Sequence, residues 1–214
     1  MGGFADYRRY VKQSAIPPSF LCHSIYTDIL SLLAENRLEL LKRLPSNLHK
    51  YLRWSHATKQ SHGSITNFVV QERLHWTPIN SNEPITANSF THYSPVPFAD
   101  PRDYATLPND WPYGFVPGLT HLLVWSRTPI PVDMSRDGDV TPQARVLVDE
   151  FVDQMFVRKL AEHEGILAGE ARKRVLWFKN WVGLQSVRGV DHVHVIVRDA
   201  PGELVRGWCE RKDL

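Results

Sequence analysis

The chain has 214 residues, of which 43% are hydrophobic and 22% are charged, and its formal net charge is +2. These are ordinary globular values, which fit one domain and exclude wholesale disorder. No apolar stretch approaches the roughly 18 residues that cross a bilayer, and the first residues lack the apolar core of a signal peptide, so a cytoplasmic location is predicted.

Residues 1–62 are predicted to form a helical N-terminal extension. Apolar residues recur at helical spacing from Ile25 to Leu33. Asn36 with Glu39 has the form of a capping box, which would start a second helix. Pro45 would end that helix and begin a further, short one.

The same extension is basic. It holds nine Lys and Arg against four acidic residues, so it carries +5 while the remainder of the chain carries −3. A basic segment beside a mildly acidic body is one that could bind a polyanion such as RNA. The alternative on charge alone is an ordinary solvated helical surface.

The pattern changes after Ser64. Ile65 and residues 68–70 favour a strand, and residues 77–118 then carry eight of the fifteen prolines. A long irregular stretch inside a compact domain is unusual and is often functional, so this one is expected to wrap over a site. It leads into residues 121–126, which form a good strand pattern.

The remaining elements complete an α+β layout. Thr141-Pro142 is a typical helix start and Gly165 a typical end. Two strands follow, at 175–179 and 190–197, and then a polar C-terminal tail. The order of elements predicts a mostly antiparallel sheet with packed helices, and residues 63–214 are expected to form the catalytic domain, folded as one unit with the extension.

The strand at 190–197 carries the most informative chemistry. Residues two apart on a strand share a face, so His192 and His194 stand side by side while Val193, Val195 and Val197 fill the other face. Because the unperturbed pKa of histidine is about 6.5, such a pair suits nucleophilic attack or proton transfer near neutral pH.

Two other interpretations of the pair stay open. The histidines could be hydrogen-bonded core or surface residues without chemistry. They could also bind zinc, iron or manganese, with His121 or His75 as a third ligand. No acid follows at a suitable offset, so neither a metal nor another cofactor is expected.

Three segments occur in a fixed order within residues 64–200. The first is Asn109-Asp110-Trp111-Pro112, which leads into His121-Leu122-Leu123-Val124. The second is Leu176-Trp177-Phe178, followed by Gln185-Ser186, and the third is His192-Val193-His194-Val195. Together they resemble the histidine-triad (HIT) and galactose-1-phosphate uridylyltransferase superfamily. The resemblance implies a HIT-like antiparallel sheet and places the chemistry on the histidine strand.

The sequence departs from that superfamily in the triad itself. A triad needs three positions, and here either the first is Val190 or the third is Ile196. The nucleophile would be His192 in the first alignment and His194 in the second. The spacing to Arg198 favours the first, and the uridylyltransferase-like pattern favours the second, so both histidines stay candidates.

The chain also resembles a fungal family as a whole. Asn109-Asp110-Trp111-Pro112-Tyr113-Gly114, the strand at 121–126 and Asp191-His192-Val193-His194-Val195 are similar to the N-acetylglucosamine-induced-protein family. Relatives of this kind occur in fungal secondary metabolism, and the resemblance extends to the arginine-containing cyclodipeptide synthases. It implies a transferase that joins two amino acids delivered on tRNA, arginyl-tRNA being one donor.

That resemblance implies roles for further residues. His194 or His192 would act as base or acyl acceptor, and the arginyl guanidinium would need a carboxylate. The candidates for that carboxylate are Asp110, Glu150 and Asp153. The other expected substrate-binding residues come from the matching segments: Asn109, His121, Gln185 and Ser186.

Two other functions remain as alternatives. A HIT-like nucleotidyl transferase or hydrolase would pass through a histidine–nucleotide intermediate. A non-catalytic module would bind a nucleotide or RNA without turnover.

Overall fold

The structure of the protein, a computed structural model, describes residues 26–210. Its α-helices are α1 (Tyr26–Ala34), α2 (Pro45–His62), α3 (Ile65–Phe68), α4 (Pro142–Val152), α5 (Lys159–Glu164), α6 (Ala168–Arg172) and α7 (Gly202–Cys209). Its strands are β1 (Tyr104–Pro108), β2 (Leu119–Ser126), β3 (Val132–Asp133), β4 (Asp139–Val140), β5 (Val175–Phe178) and β6 (Asp191–Arg198). None of the helices in this part of the chain combines the length and apolar character that bilayer crossing requires.

Four strands form an antiparallel sheet in the order β1-β2-β6-β5. In its centre β2 and β6 pair so that Leu123 faces His194 and Trp125 faces His192. The short strands β3 and β4 form a separate ribbon. Helices surround this sheet, which confirms the predicted α+β class.

The two faces of the sheet bury different kinds of side chain. On one face Val193 and Val195 of β6 lie at 0% exposure and pack with Leu122, Val124 and the long helical segment that begins with α4. A π-helical turn, Asp153–Arg158, joins α4 to α5 and contributes the fully buried Phe156 to this core. The helices that begin with α4 therefore bury only the valine face of β6. The opposite face, which carries His192 and His194, is covered by other parts of the chain.

Helices from the first third of the chain cover the histidine face. Ile29 and Leu32 of α1 pack with Leu41, Phe178 and Ile196 in one cluster. The segment after α2 packs against Trp125 in a second cluster of buried residues, through Ile65, Val69, Val70 and Leu74. The part of the extension that is described, residues 26–62, therefore shares its core with the sheet.

The predicted strand around Ile65 is wrong. Residues 65–68 form α3 and continue into a π-helical turn, Val69–Leu74. The Ser64 hydroxyl accepts a hydrogen bond from the Asn67 N–H at 2.9 Å, which is an N-cap interaction. A short apolar run is compatible with either a buried strand or a buried helix. Here the N-cap bond of Ser64 stabilises the helix.

The predicted helix start at Asn36 and Glu39 is also wrong. Asn36 has φ = 53° and follows the end of α1. The Asn36 N–H bonds to the Leu33 carbonyl at 3.2 Å and the Arg37 N–H bonds to the Leu32 carbonyl at 2.8 Å. These two bonds form a Schellman motif, in which an asparagine with a left-handed φ ends the helix. The sequence pattern predicts a helix start at Asn36, whereas in the structure this residue ends α1. Only a 3₁₀ turn, Leu38–Leu40, follows.

Three further differences concern element bounds. Pro45 is the first residue of the 18-residue helix α2, longer than predicted. The proline-rich stretch contains the unpredicted strand β1. The C-terminal tail forms α7, whose Trp208 is buried against Phe156 at a ring distance of 5.0 Å. The start predicted at Ile25 lies outside the described residues.

A Thr141→Ala variant is expected to lower the free energy of unfolding by about 1 kcal/mol. The Thr141 hydroxyl accepts from the Ala144 N–H at 3.2 Å, and alanine would leave that donor at the start of α4 without its cap. Urea denaturation measures the difference. Thr141→Ser keeps the hydroxyl and should stay close to the parent protein, and equal loss in both variants would show that the cap is not the cause.

Candidate functional site

His192 and His194 lie together at the floor of a cavity of about 170 Å³ on the helix-covered face of the sheet. Their ring centroids are 5.4 Å apart, and the two residues are 7% and 5% exposed. The prediction that strand alternation presents both rings on one face is therefore confirmed by the geometry. The floor of the cavity consists of these rings with Leu123 and Trp125 of the neighbouring strand.

The walls of the cavity come from four separate parts of the chain. One wall is formed by Arg43, Tyr51 and Trp54, which lie just before α2 and on it. The second is α3 with the turn after it, at positions 65, 68, 69 and 73. The third is the proline-rich segment, at positions 107–111 and 113. The fourth follows β5 and includes Asn180, Leu184 and Ser186. The long irregular stretch thus borders the histidines, as its composition predicted.

His192 has one committed ring nitrogen and one available. Its Nδ1 lies 3.0 Å from the Val190 carbonyl oxygen. A carbonyl only accepts, so Nδ1 must carry the proton and Nε2 keeps its lone pair. Among the described residues Nε2 has no hydrogen-bond partner. The ring also packs on Trp125, with centroids 4.3 Å apart.

Burial lowers the pKa of His192 to about 4. The bond to Val190 opposes that shift, and the Lys179 ammonium adds to it. Lys179 is itself buried and lies 2.9 Å from Asp191 Oδ1 at the start of β6. At neutral pH the imidazole is therefore uncharged, with its Nε2 lone pair free.

His194 has both ring nitrogens engaged. Its Nδ1 lies 2.9 Å from His121 Nε2, and its Nε2 lies 3.2 Å from Asn180 Nδ2. The Phe178 ring stacks on it at 4.6 Å with planes 5° apart. Burial first, and then His121, hold the pKa of His194 well below its usual value. These contacts make His194 a fixed, neutral part of the cavity wall.

His121 lies behind His194 and joins it to the proline-rich segment. Asn109 Nδ2 is 3.2 Å from His121 Nε2, and Asn109 Oδ1 accepts from the Trp111 N–H at 2.9 Å. Burial, aided by the Arg43 charge, lowers the pKa of His121 to about 3. Asn109 and His121, both predicted to bind substrate, thus connect the proline-rich segment to His194. Asn109 lines the cavity, whereas His121 does not.

The cavity mouth is both charged and aromatic. Arg73 Nη2 bonds to Asp110 Oδ1 at 2.8 Å, and Glu39 lies nearby. Trp54 is the centre of an aromatic cluster, in which its ring contacts Trp111 at 5.0 Å and Phe68 at 5.4 Å. Such a surface offers flat faces for a planar group and cations for an anionic one.

The other predicted substrate-binding residues divide into two groups. Asp110 and Ser186 line the cavity. Gln185 does not, but its Nε2 donates to the Asn180 carbonyl at 2.7 Å and so fixes the residue that bonds to His194. Glu150 and Asp153 border a separate concavity beside the α4–α5 segment, so these two carboxylates are not placed to contact a ligand of the histidines.

Sequence reasoning missed Asn180, Arg43 and the aromatic residues of α2. Asn180 Nδ2 donates to the Tyr113 hydroxyl at 2.9 Å as well as lying next to His194, so it ties two walls together. Tyr51 and Trp54 stand three residues apart and therefore share a helix face. That spacing was the available signal, since an aromatic pair on an otherwise polar helix needs a surface to cover.

No group of three His, Cys, Asp or Glu side chains within residues 26–210 is arranged to hold a metal ion. The metal interpretation needed His121 or His75 as a third ligand. His121 Nε2 is hydrogen-bonded directly to His194 Nδ1, so these two nitrogens face each other and not a shared ion. His75 lines a different concavity.

Comparisons with known proteins agree on one group. N-acetylglucosamine-induced protein 1 of Candida albicans is 29% identical over 187 residues, which are 84% of this chain and 70% of that protein. Uncharacterized protein YPL067C of Saccharomyces cerevisiae is 30% identical over 173 residues, 80% of this chain and 77% of its own length. These matches confirm the resemblance to the N-acetylglucosamine-induced-protein family.

A solved structure and a family model extend the agreement. The structure described as "Crystal Structure of HTC1" is 26% identical, has a TM-score of 0.57, and covers 86% of this chain and 91% of its own. The family model matches residues 25–198, which include every wall of the histidine cavity. The chain therefore belongs to the family described as "Protein of unknown function (DUF3605)".

Proposed function

We propose that the protein is a histidine-dependent aminoacyl transferase that uses aminoacyl-tRNA and forms an arginine-containing cyclic dipeptide. The observation that carries the proposal is the unpartnered Nε2 of His192 at the floor of the cavity, with Nδ1 fixed on the Val190 carbonyl. An activated nucleophile needs an available lone pair and a ring held in one orientation, and His192 has both.

The same geometry favours His192 over His194 as the reacting group. His194 would have to break its contacts with His121 and Asn180 before it could attack a substrate. The Nε2 of His192, whose lone pair is available, is the atom that would attack the substrate, and the bond from Nδ1 to Val190 keeps the ring oriented for that attack.

In the proposed reaction His192 Nε2 attacks the carbonyl carbon of the aminoacyl ester. The carbon–oxygen bond to the terminal ribose breaks, the ribose oxygen takes up a proton from solvent, and an acyl-imidazolium that keeps its Nδ1–H on Val190 remains on the protein. The α-amino group of the second aminoacyl-tRNA then attacks that carbonyl, gives up a proton to solvent, releases the neutral imidazole and forms the first peptide bond. Attack of the remaining amino group on the remaining ester closes the ring and frees the second tRNA.

The cavity suits both ends of such a donor. The aromatic cluster around Trp54 offers stacking surfaces for a terminal adenine. A guanidinium needs a carboxylate, and Asp110 and Glu39 are the acids that line the cavity. Asp110 already bonds to Arg73 through Oδ1, and Glu39 bonds to Arg37 through Oε1 at 2.8 Å. The second oxygen of Glu39, Oε2, is buried and has no hydrogen-bond partner among the described residues.

The outward face of α2 suits the remainder of a tRNA. The helix contains no Asp or Glu, and its exposed positions include His49, Lys50, Arg53, His56 and Lys59. Its opposite side carries Tyr51 and Trp54 toward the cavity. A phosphate backbone bound along the outer face would thus run close to the cavity mouth.

Expression of the protein in a microbial host is expected to yield new arginine-containing cyclic dipeptides in the extract. Mass spectrometry of extracts, compared with those of an empty-vector strain, detects them. Feeding isotopically labelled arginine should shift the mass of each product by one or two labels. Absence of any such product, with folded protein present in the cells, would overturn the proposal.

The second candidate is nucleotidyl transfer or hydrolysis through the same nitrogen. It is favoured by the combination of a neutral Nε2 with the aromatic cluster, which would suit attack on a nucleotide phosphate as well as on an ester. Labelled AMP or UMP trapped covalently on His192, with no cyclic dipeptide formed, would select this candidate. Binding that survives His192→Ala without turnover would instead indicate a non-catalytic module.

A further inference from the structure

Arg43 is held at the cavity wall, and no acidic residue within 26–210 forms an ion pair with it. Its Nε donates to the Trp111 carbonyl at 3.1 Å, and its guanidinium lies 4.1 Å from the centre of the Tyr51 ring. Neither contact is to a carboxylate, and neither uses the two terminal amino groups. Those groups are four N–H donors on a fixed, charged fork beside the cavity.

This arrangement contrasts with nine of the thirteen other arginines of the described chain. Those nine have a carboxylate oxygen within 4 Å: Arg37, Arg73, Arg102, Arg136, Arg145, Arg158, Arg172, Arg174 and Arg198. Arg43 is partly buried and lines the cavity, yet the ion pairs of residues 26–210 do not include it. A partly desolvated guanidinium without a counter-ion is a strong site for a planar or tetrahedral oxyanion.

The charge of Arg43 also reaches the histidines. Its guanidinium lies 5.9 Å from the centre of the Tyr113 ring, which stacks on His194 with centroids 5.9 Å apart. Its charge is also among the causes that lower the pKa of His121 and His194. The aromatic cluster lies on its other side, since Trp111 and Tyr51 contact both Arg43 and each other at a ring distance of 5.5 Å. A ligand that satisfies all three features carries a flat ring, an oxyanion and a reactive group as three separate arms, as a nucleotide does on its ribose.

We infer that Arg43 binds the 5′-phosphate of a nucleoside whose base stacks on the aromatic cluster and whose ribose end faces His192. The inference rests on the proposed function for the choice of a nucleoside. It adds the residue that anchors the phosphate and the position of that phosphate in the cavity. A 5′-phosphate of this kind is a monoester in AMP and a diester in the terminal nucleotide of a tRNA.

The test compares the binding of adenosine, AMP and the dinucleotide CpA, which presents adenosine with a 5′-phosphodiester. Trp54, Trp111 and Trp125 line the cavity, so tryptophan fluorescence follows occupancy without any turnover. AMP or CpA is expected to bind at least about tenfold more tightly than adenosine, with a salt dependence that adenosine lacks. Tighter binding of CpA than of AMP would indicate the tRNA diester, and the reverse would indicate a free nucleotide.

Arg43→Gln is expected to remove this phosphate advantage and to leave the affinity for adenosine within about threefold. Arg206→Gln makes the same charge change on the exposed side of α7, outside the cavity, and should preserve the advantage. Arg43→Lys keeps the charge without the fork and should retain part of it.

Equal affinities of the parent protein for adenosine, AMP and CpA, or no binding of any of them, would overturn the inference. An undiminished phosphate advantage in folded Arg43→Gln would also overturn it. These outcomes are independent of the proposed reaction, because they require no product. A phosphate advantage that depends on Arg43 in a protein that makes no cyclic dipeptide would uphold the inference and reject the aminoacyl transfer.

Discussion

A His192→Ala variant is expected to lose at least about a thousandfold in the rate of group transfer. Among the histidines that the structure describes, only His192 combines an uncharged imidazole, an unpartnered Nε2 and a place on the cavity floor. Removal of the nucleophile leaves binding and positioning intact but takes away the acyl-imidazole. Product formation is measured by mass spectrometry with arginyl-tRNA supplied by a purified synthetase, and by AMP labelling for the second candidate.

Three controls make this result specific. His163→Ala removes an exposed histidine of α5 and should keep the parent rate. His192→Gln fills the space beside Trp125 and should be as inactive as the alanine variant, which excludes a packing defect. His194→Ala should lower stability as well as activity, because it breaks the bonds to His121 and Asn180. An active His192→Gln variant would contradict the assignment of the nucleophile.

The free energy of unfolding is expected to fall as the pH is lowered from about 6.5 to 5. His121, His192 and His194 are buried and neutral in the folded protein, with pKa values of about 3, about 4 and well below 6.5. In the unfolded chain each has a pKa near 6.5, so below that pH the unfolded state binds protons that the folded state does not. Protonation therefore favours unfolding throughout this window, and the stability is fully present only above it.

The size of the effect follows from proton linkage. Each histidine that protonates only on unfolding contributes at most about 1.4 kcal/mol per pH unit, and three could give about 4 kcal/mol per unit. Urea denaturation at a series of pH values measures the slope. His192→Gln removes one of the three histidines and should lower the slope by at most about 1.4 kcal/mol per pH unit. Carboxyls with a lowered pKa, such as Asp100 at about 2, titrate below this window. A flat profile between pH 6.5 and 5 would contradict the burial of neutral histidines.

Sequence reasoning located the sheet and the histidine strand because alternation on β6 is a local signal. The apolar residues Val193, Val195 and Val197 fix one face, so the position of His192 and His194 follows without knowledge of any other element. The helix at 142–164 was equally accessible, since Thr141-Pro142 and Gly165 mark its ends. These features depend on neighbours within a few residues along the chain.

The features that sequence reasoning did not find depend on distant contacts. Which ring nitrogen of His192 is free depends on the Val190 carbonyl, and the engagement of His194 depends on His121 and Asn180. Glu150 was a reasonable acid by composition but belongs to a helix on the other side of the sheet. Asn36 fits a capping box as well as a helix end, and only its left-handed φ distinguishes the two.

Under the proposed function, the placement of Tyr51 and Trp54 on α2 would separate the choice of ligand from the residues that react with it. These side chains stand outside the valine-rich core between the sheet and α4, and the opposite side of their helix faces water. Exchanges at the two positions would reshape the wall of the cavity while the strand with His192 keeps its pairing. Members of the family could therefore diverge in substrate preference through a single helix, which makes α2 the natural place for a randomised library in protein engineering.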